Sequence, residues 1–193
     1  ISLAACWMQR KPSHSQTLLS QVQCKAKALH HELLMAKCAR LWGHTMRRRA
    51  RFQKALQSFQ EAMVIYEAQG DDLPIVSCLE ELGRVAYAAS QFEESRRYFT
   101  RALAQSRISH VEVQHSLHLE LAQVYAALGD IEKAKAHVKK ALWESQSFER
   151  TEQLVQVYQS LGDLCLIQCR FEQAHHHYQC AIGILQECTG III

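Results

Sequence analysis

Four times along the chain a large residue followed by a small one recurs: Trp42-Gly43, Leu82-Gly83, Leu121-Ala122 and Leu161-Gly162. The small members are spaced 40, 39 and 40 residues apart. Behind each pair, at fixed offsets, comes a second signature: Phe52, Ala55, Phe59 and Ala62; Phe92, Ser95, Phe99 and Ala102; Ile131, Ala134, Val138 and Ala141; Phe171, Ala174, Tyr178 and Ala181. Repetition at such a period marks stacked supersecondary units, none of which buries its apolar stripe alone. Gly or Ala in the first segment of a unit lets a neighbouring helix cross closely, and the Ala, aromatic, Ala series falls on one stripe of a second helix. Each large side chain on that stripe contributes ~1.5–3 kcal/mol once a neighbour covers it. The period therefore predicts an array of helical hairpins.

The same residues resemble the tetratricopeptide repeat family, whose pattern is W/L-x-x-L-G-x-x-Y in a first helix and A-x-x-x-F/Y-x-x-A in a second. The second repeat carries Leu79, Leu82, Gly83, Phe92, Phe99, Ala102 and Leu103 at motif positions. The third keeps Leu121, Tyr125, Ala134, Ala141 and Leu142 but has His118 at the first position and Ala122 for Gly. The fourth keeps Tyr158, Leu161, Gly162, Phe171, Ala174, Tyr178 and Ala181, with Cys165 in place of the motif Tyr; the first has Trp42 and Gly43 flanked by Ala39 and Met46. The resemblance spans Leu33 to Glu187 and implies an all-α fold, a right-handed superhelical α-solenoid of antiparallel helix hairpins. It divides the chain into repeats at 33–72, 73–111, 112–150 and 151–193 after a degenerate partial repeat at 1–32. The usual family repeat is about 34 residues. The longer period here, and the missing motif Pro, are similar to the repeats of Pins/LGN-type spindle scaffolds and rapsyn.

With only two Pro and seven Gly in 193 residues, little interrupts long helices. Turns are expected within the hairpins at Arg49 to Arg51, Ser90-Gln91, Gly129-Asp130 and Cys169-Arg170, and Ser109 with Glu112 has capping-box spacing before the third repeat. The chain begins at Ile1 rather than Met, so it reads as a fragment, with Ile1 to Gln9 trailing from a first helix. Ile182, Leu185 and Cys188 near the end lack a following helix, which predicts a partner, a second copy, or an open apolar patch there. No run is long and apolar enough for a membrane span, and no secretory signal precedes the repeats, so a cytoplasmic protein, cytoskeletal or ciliary in setting, is expected. The eight Cys sit at helical positions and read as reduced thiols, with Cys6, Cys24, Cys38 and Cys78 as core fillers.

Chemistry-bearing motifs are sparse. Cys165, Cys169, His175, His176, His177 and Cys180 offer zinc-ligand types, but Cys165 takes a packing position, Cys169 a turn, and the three His fan around a helix axis, so no metal is expected. A nucleophile elbow, a phosphate-cradling Gly loop and H-E-x-x-H are all missing, which predicts no catalytic residues, no cofactor and no enzyme activity. The run Arg47-Arg48-Arg49-Ala50-Arg51 raises nucleic-acid binding, with RNA as the alternative partner. At a net charge of +3, with its Arg spread around a helix, the run reads better as a solvated turn.

The resemblance places function on the first helices, whose second, fifth, ninth and twelfth motif positions face a concave groove. These are Lys37, Arg40, His44 and Arg47; Ser77, Glu80, Arg84 and Tyr87; Ser116, Leu119, Gln123 and Ala126; and Gln156, Gln159, Asp163 and Ile167. The implied function is a protein-interaction scaffold or adaptor. Its ligand would be a peptide or helix with acidic residues for the basic end and apolar anchors for the middle, Arg40 and Arg84 each gripping a carboxylate. The clamp by which some relatives hold chaperone tails is not matched, because Glu81 and Glu120 stand at cationic or amide places.

Overall fold

The computed structural model describes residues 12–106, 111–147 and 151–189. Among them are helices α1 (Pro12–Ala28), α2 (Glu32–Arg48), α3 (Phe52–Gln69), α4 (Asp72–Ala88), α5 (Phe92–Ser106), α6 (Val111–Ala127), α7 (Ile131–Ser147), α8 (Thr151–Ile167) and α9 (Phe171–Thr189), and no strand. They form two compact units, Ile1–Gln105 and Ser106–Ile193. No helix among the described residues is long and apolar enough to cross a membrane. Ser109, Ile1 to Gln9, the side chains of Glu112 and Cys188, and Cys6 lie outside what is described.

The helices stop where the period dictates. Ala50, Ser90, Gly129 and Cys169, again 40, 39 and 40 residues apart, are left-handed, with φ of 54°, 60°, 83° and 57°. At each, two backbone bonds close the end of the first helix: Arg51 N donates to Met46 O and Ala50 N to Arg47 O, and the equivalent pairs recur behind α4, α6 and α8. This double closure satisfies carbonyls that the helix end leaves open. Only one of the four sites is Gly; the others hold a Cβ in a conformation that disfavours it by roughly 1–2 kcal/mol. His30 behind α1 and Gly70 behind α3 repeat the closure one period apart, with φ of 49° and 68°. Two of the restarting helices are capped by side chains, Leu34 N donating to His31 Nδ1 and Lys133 N to Asp130 Oδ1, each at 3.2 Å, whereas Arg51 and Asp71 make no such bond.

Packing inside the hairpins pairs small with large. A Cβ placed on Gly43 would lie 2.8 Å from Phe59 Cζ, one on Gly83 2.7 Å from Phe99, and one on Gly162 2.6 Å from Tyr178. In the third hairpin the small residue already has a Cβ, Ala122, and the large one is Val138, both in one core with Ala134, Ala141, Val157 and Leu164. The opposing side chain shrinks where the small one grows. The core of the first unit joins Met46, Ala55, Phe59, Leu82 and Val85, flanked by Trp42, Phe52 and Met63. Ser95, standing where the other repeats have Ala, is fully buried and donates to Gly83 O at 2.8 Å, so its hydroxyl is satisfied.

Candidate functional site

In the first unit the expected residues recur every three or four positions and share one side of each first helix. On α2, Lys37 is exposed and Arg40, His44 and Arg47 are half-buried; on α4, Ser77, Glu80, Arg84 and Tyr87 are half-buried. Between these helices stands Glu81, which sequence reasoning treated only as an obstacle to a chaperone tail. Its carboxylate is buried and holds the face together. Oε2 lies 3.3 Å from His44 Nδ1 and 3.2 Å from Arg47 Nε, and Oε1 accepts from Arg84 NH1 at 2.9 Å. The second terminal nitrogen of Arg84 donates to Glu80 Oε1 at 2.6 Å. Burial alone would push the Glu81 carboxyl up, but the His44 hydrogen bond and the charges of His44, Arg47 and Arg84 outweigh it and hold the group at about 2.

This corrects one expectation. Arg84, expected to grip a ligand's carboxylate, is bonded to two of the chain's own, and Arg47 is likewise ion-paired. Arg40 differs: its NH1 reaches Ser77 Oγ at 3.5 Å, and neither it nor Lys37 is ion-paired among the described residues. Tyr87 packs edge-on against Phe92, ring centroids 5.4 Å apart.

The second unit presents a different surface. Gln123, Gln156, Gln159, Asp163 and Ile167 are exposed, Ser116 and Ala126 half-buried. Ser116 Oγ donates to Val113 O at 3.0 Å, and Asp163 Oδ1 accepts from Tyr178 OH at 2.6 Å. Leu119, expected to face a ligand as an apolar anchor, is buried instead, 7% exposed in the core with Val138 and Val157. Its position belongs to the interior because α8 packs against α6.

Sequence reasoning missed a histidine pair. His118 on α6 and His137 on α7 bring their Nδ1 atoms to 2.9 Å, and His118 Nε2 lies 3.8 Å from Glu144 Oε1. The signal was His118 itself, a polar residue at a motif position that takes a large apolar one; its partner 19 residues on has no periodic mark. Nearby, His115 Nδ1 lies 3.0 Å from Ser145 Oγ and 3.2 Å from Ala141 O.

Cys38 and Cys78 are buried as expected, and burial raises both thiols, Cys78 to about 11. Cys24 is exposed, which corrects its assignment as a core filler: it faces away from the side of α1 that buries Leu19 and Ala26. In the cysteine and histidine cluster of the fourth repeat, the polar contact is Cys180 Sγ to His176 Nε2 at 3.8 Å, one helical turn apart. No three His, Cys, Asp or Glu among the described residues converge as a metal site. What the first-helix faces do chemically is hold charge in fixed places.

The tetratricopeptide repeat family model matches residues 34–107 and 113–187. No curated protein matches the chain. Among solved structures, BtubC (BKLC) from P. vanneervenii is similar with a TM-score of 0.83 at 18% identity, over 99% of this chain and 80% of that one. A putative kinesin light chain of Podosopora anserina, with nearly identical TPR-like repeats, gives 0.80 at 17% identity, over 98% and 94%. Aspartyl phosphate phosphatase F from Bacillus subtilis gives 0.72 at 15% identity, over 96% and 58%. These likenesses show the fold.

Proposed function

The chain belongs to the tetratricopeptide repeat family, and from that premise we propose that it is a non-enzymatic interaction scaffold whose first-helix faces hold a partner peptide or helix. One observation carries the reading. On α2, Lys37 and Arg40 stand side by side without an ion pair among the described residues, while the neighbouring Arg47 and Arg84 are ion-paired with Glu81 and His44 rests against it. A buried carboxylate thus fixes the surface, and two cations remain for a ligand's acidic group. Leu119, being buried, offers no apolar anchor to a ligand. Ile182 and Leu185, 52% and 44% exposed on α9, support self-association there, which sedimentation at rising concentration would show. The division into four repeats after a partial one, and a cytoplasmic and cytoskeletal setting, belong to the same proposal; likeness to putative kinesin light chain repeats supports the setting. No observation favours nucleic acid, since Arg47 faces Glu81 and Arg48, Arg49 and Arg51 surround a turn.

The test is selection of a displayed peptide library on the wild-type chain. Enriched sequences should carry Asp or Glu and lose roughly tenfold or more in affinity for a Lys37→Glu, Arg40→Glu variant of unchanged melting temperature. Enrichment with no acidic bias, or equal binding to the variant, would overturn the reading.

A further inference from the structure

The third hairpin joins its helices through a pair of imidazoles. With Nδ1 atoms 2.9 Å apart, His118 and His137 have room for one proton between them: one nitrogen donates and the other accepts. His118 is 5% exposed, and the His137 ring is sandwiched further by Tyr125, stacked at 5.4 Å with 19° between planes. Lys133 Nζ lies over the ring of that tyrosine, 5.6 Å from its centroid.

We propose that the His118–His137 pair makes this hairpin an acid-sensitive joint, in which one shared proton holds α6 to α7 and a second proton drives them apart.

The first added proton has a place. A doubly protonated His118 donates through Nδ1 to His137 and turns Nε2 toward the Glu144 carboxylate, 3.8 Å away. A second proton has none, because His137 would then present a donor to a donor, next to a cationic ring. The surrounding charges agree. On α6, Tyr125 stacks on His137, His115 is engaged with Ser145 and Ala141, and Glu120 is half-buried; on α7 stand Glu144, Lys133 and Lys140, with Lys135 paired to Glu132 and Lys139 exposed. α8 adds Val157 and Leu164 to the adjoining core, and of its charged residues Glu152 is exposed and Asp163 is held by Tyr178. Burial, and then the Lys140 charge, push His137 down, while burial pushes Glu144 up against the pull of Lys140.

A histidine depressed in the folded state contributes stability in full above its unfolded pKa of about 6.5 and loses it as pH falls below. One ring kept neutral therefore shifts the opening equilibrium about tenfold between about pH 7.5 and about pH 5.5. Glu144, pushed up by burial, acts in the opposite sense. Ser116 and Gln123 ride on α6, so the same protons would reshape that part of the proposed binding face.

Hydrogen exchange of the full chain, read by mass spectrometry and corrected with unfolded peptide standards, separates α6 and α7 from α3. Protection in α6 and α7 should fall about tenfold across this pH range while that of α3 does not. In His137→Asn, whose amide oxygen accepts but does not titrate, the fall should vanish. Proton NMR of the wild type gives a second reading independent of any variant: one imidazole of the pair should stay neutral below about pH 5.5. Two rings titrating near their ordinary value, equal losses in α3 and α6–α7, or the same fall in His137→Asn would each overturn the proposal.

Discussion

Replacing Gly83 by Ala tests the packing rule at its tightest buried instance. The new Cβ would lie 2.7 Å from both Phe99 Cε1 and Cζ and 2.9 Å from Cδ1. Carbon atoms settle at ~3.5–4.0 Å, so the ring must retreat by about 1 Å. Phe99 is fully buried, and the Ser95 hydroxyl bonded to Gly83 O ties the same two helices together, so nothing gives easily. Overpacking of this kind costs ~1–3 kcal/mol, against which the better helix propensity of Ala returns about 1. Because the ring has no exposed edge to yield, the upper part of that range applies, and the net is a loss of about 1–2 kcal/mol. Urea titration followed by far-ultraviolet circular dichroism should show a lower midpoint, and melting should drop by about 2–8 °C. Trimming the ring in the double variant Gly83→Ala, Phe99→Leu should recover part of the loss. Gly162→Ala should cost less than Gly83→Ala, because the Tyr178 ring is partly exposed, held at its tip by Asp163. A Gly83→Ala chain as stable as the wild type, or more so, would refute the reasoning.

Other outcomes follow from the same geometry. Ala50→Gly and Cys169→Gly should each stabilise by about 0.5–1 kcal/mol in urea titrations, the relief of the left-handed backbone exceeding the entropy of Gly. Because the Glu81 carboxyl is held down from 4.5 to about 2, its contribution is complete above the unfolded value and is lost as pH falls toward 2. With its cationic partners about one-third exposed, that loss should be ~1–2 kcal/mol, seen in acid unfolding of the first unit and missing in Glu81→Gln. The hydrogen bond to Asp163 raises the Tyr178 phenol to about 12, so ultraviolet titration should find, besides buried Tyr66, a late tyrosine that returns toward its ordinary value in Asp163→Asn. Charge reversal at Arg84, unlike reversal at Arg40, should unfold the first unit more easily, since it sets a carboxylate against Glu80 and Glu81.

Much of the fold was legible because it rests on periodic facts. The recurrence of Gly or Ala against Phe, Val or Tyr, and of turns at Ala50, Ser90, Gly129 and Cys169, fixes where helices run and cross, and each repeat restates it. The candidate site was legible only as positions. That Lys37, Arg40, Ser77 and Arg84 lie on first helices follows from the motif; which of them keeps its charge for a ligand does not. Glu81 captures Arg47 and His44 across two helices through a juxtaposition particular to one repeat. Leu119 fits an exposed slot by register yet is buried, since the packing of α8 against α6 decides the matter. His118 and His137 were hidden for the same reason, because a contact made once leaves no rhythm to detect.

The matched pairs inside the hairpins bear on how such a chain can diverge. Gly with Phe, and Ala with Val, are two alleles of one joint, and each works only with its own counterpart. Crossovers falling between hairpins carry both halves together and exchange whole modules harmlessly. A crossover within a hairpin would mate Ala with Phe or Gly with Val, one jammed and the other hollow, so shuffling is confined to the seams.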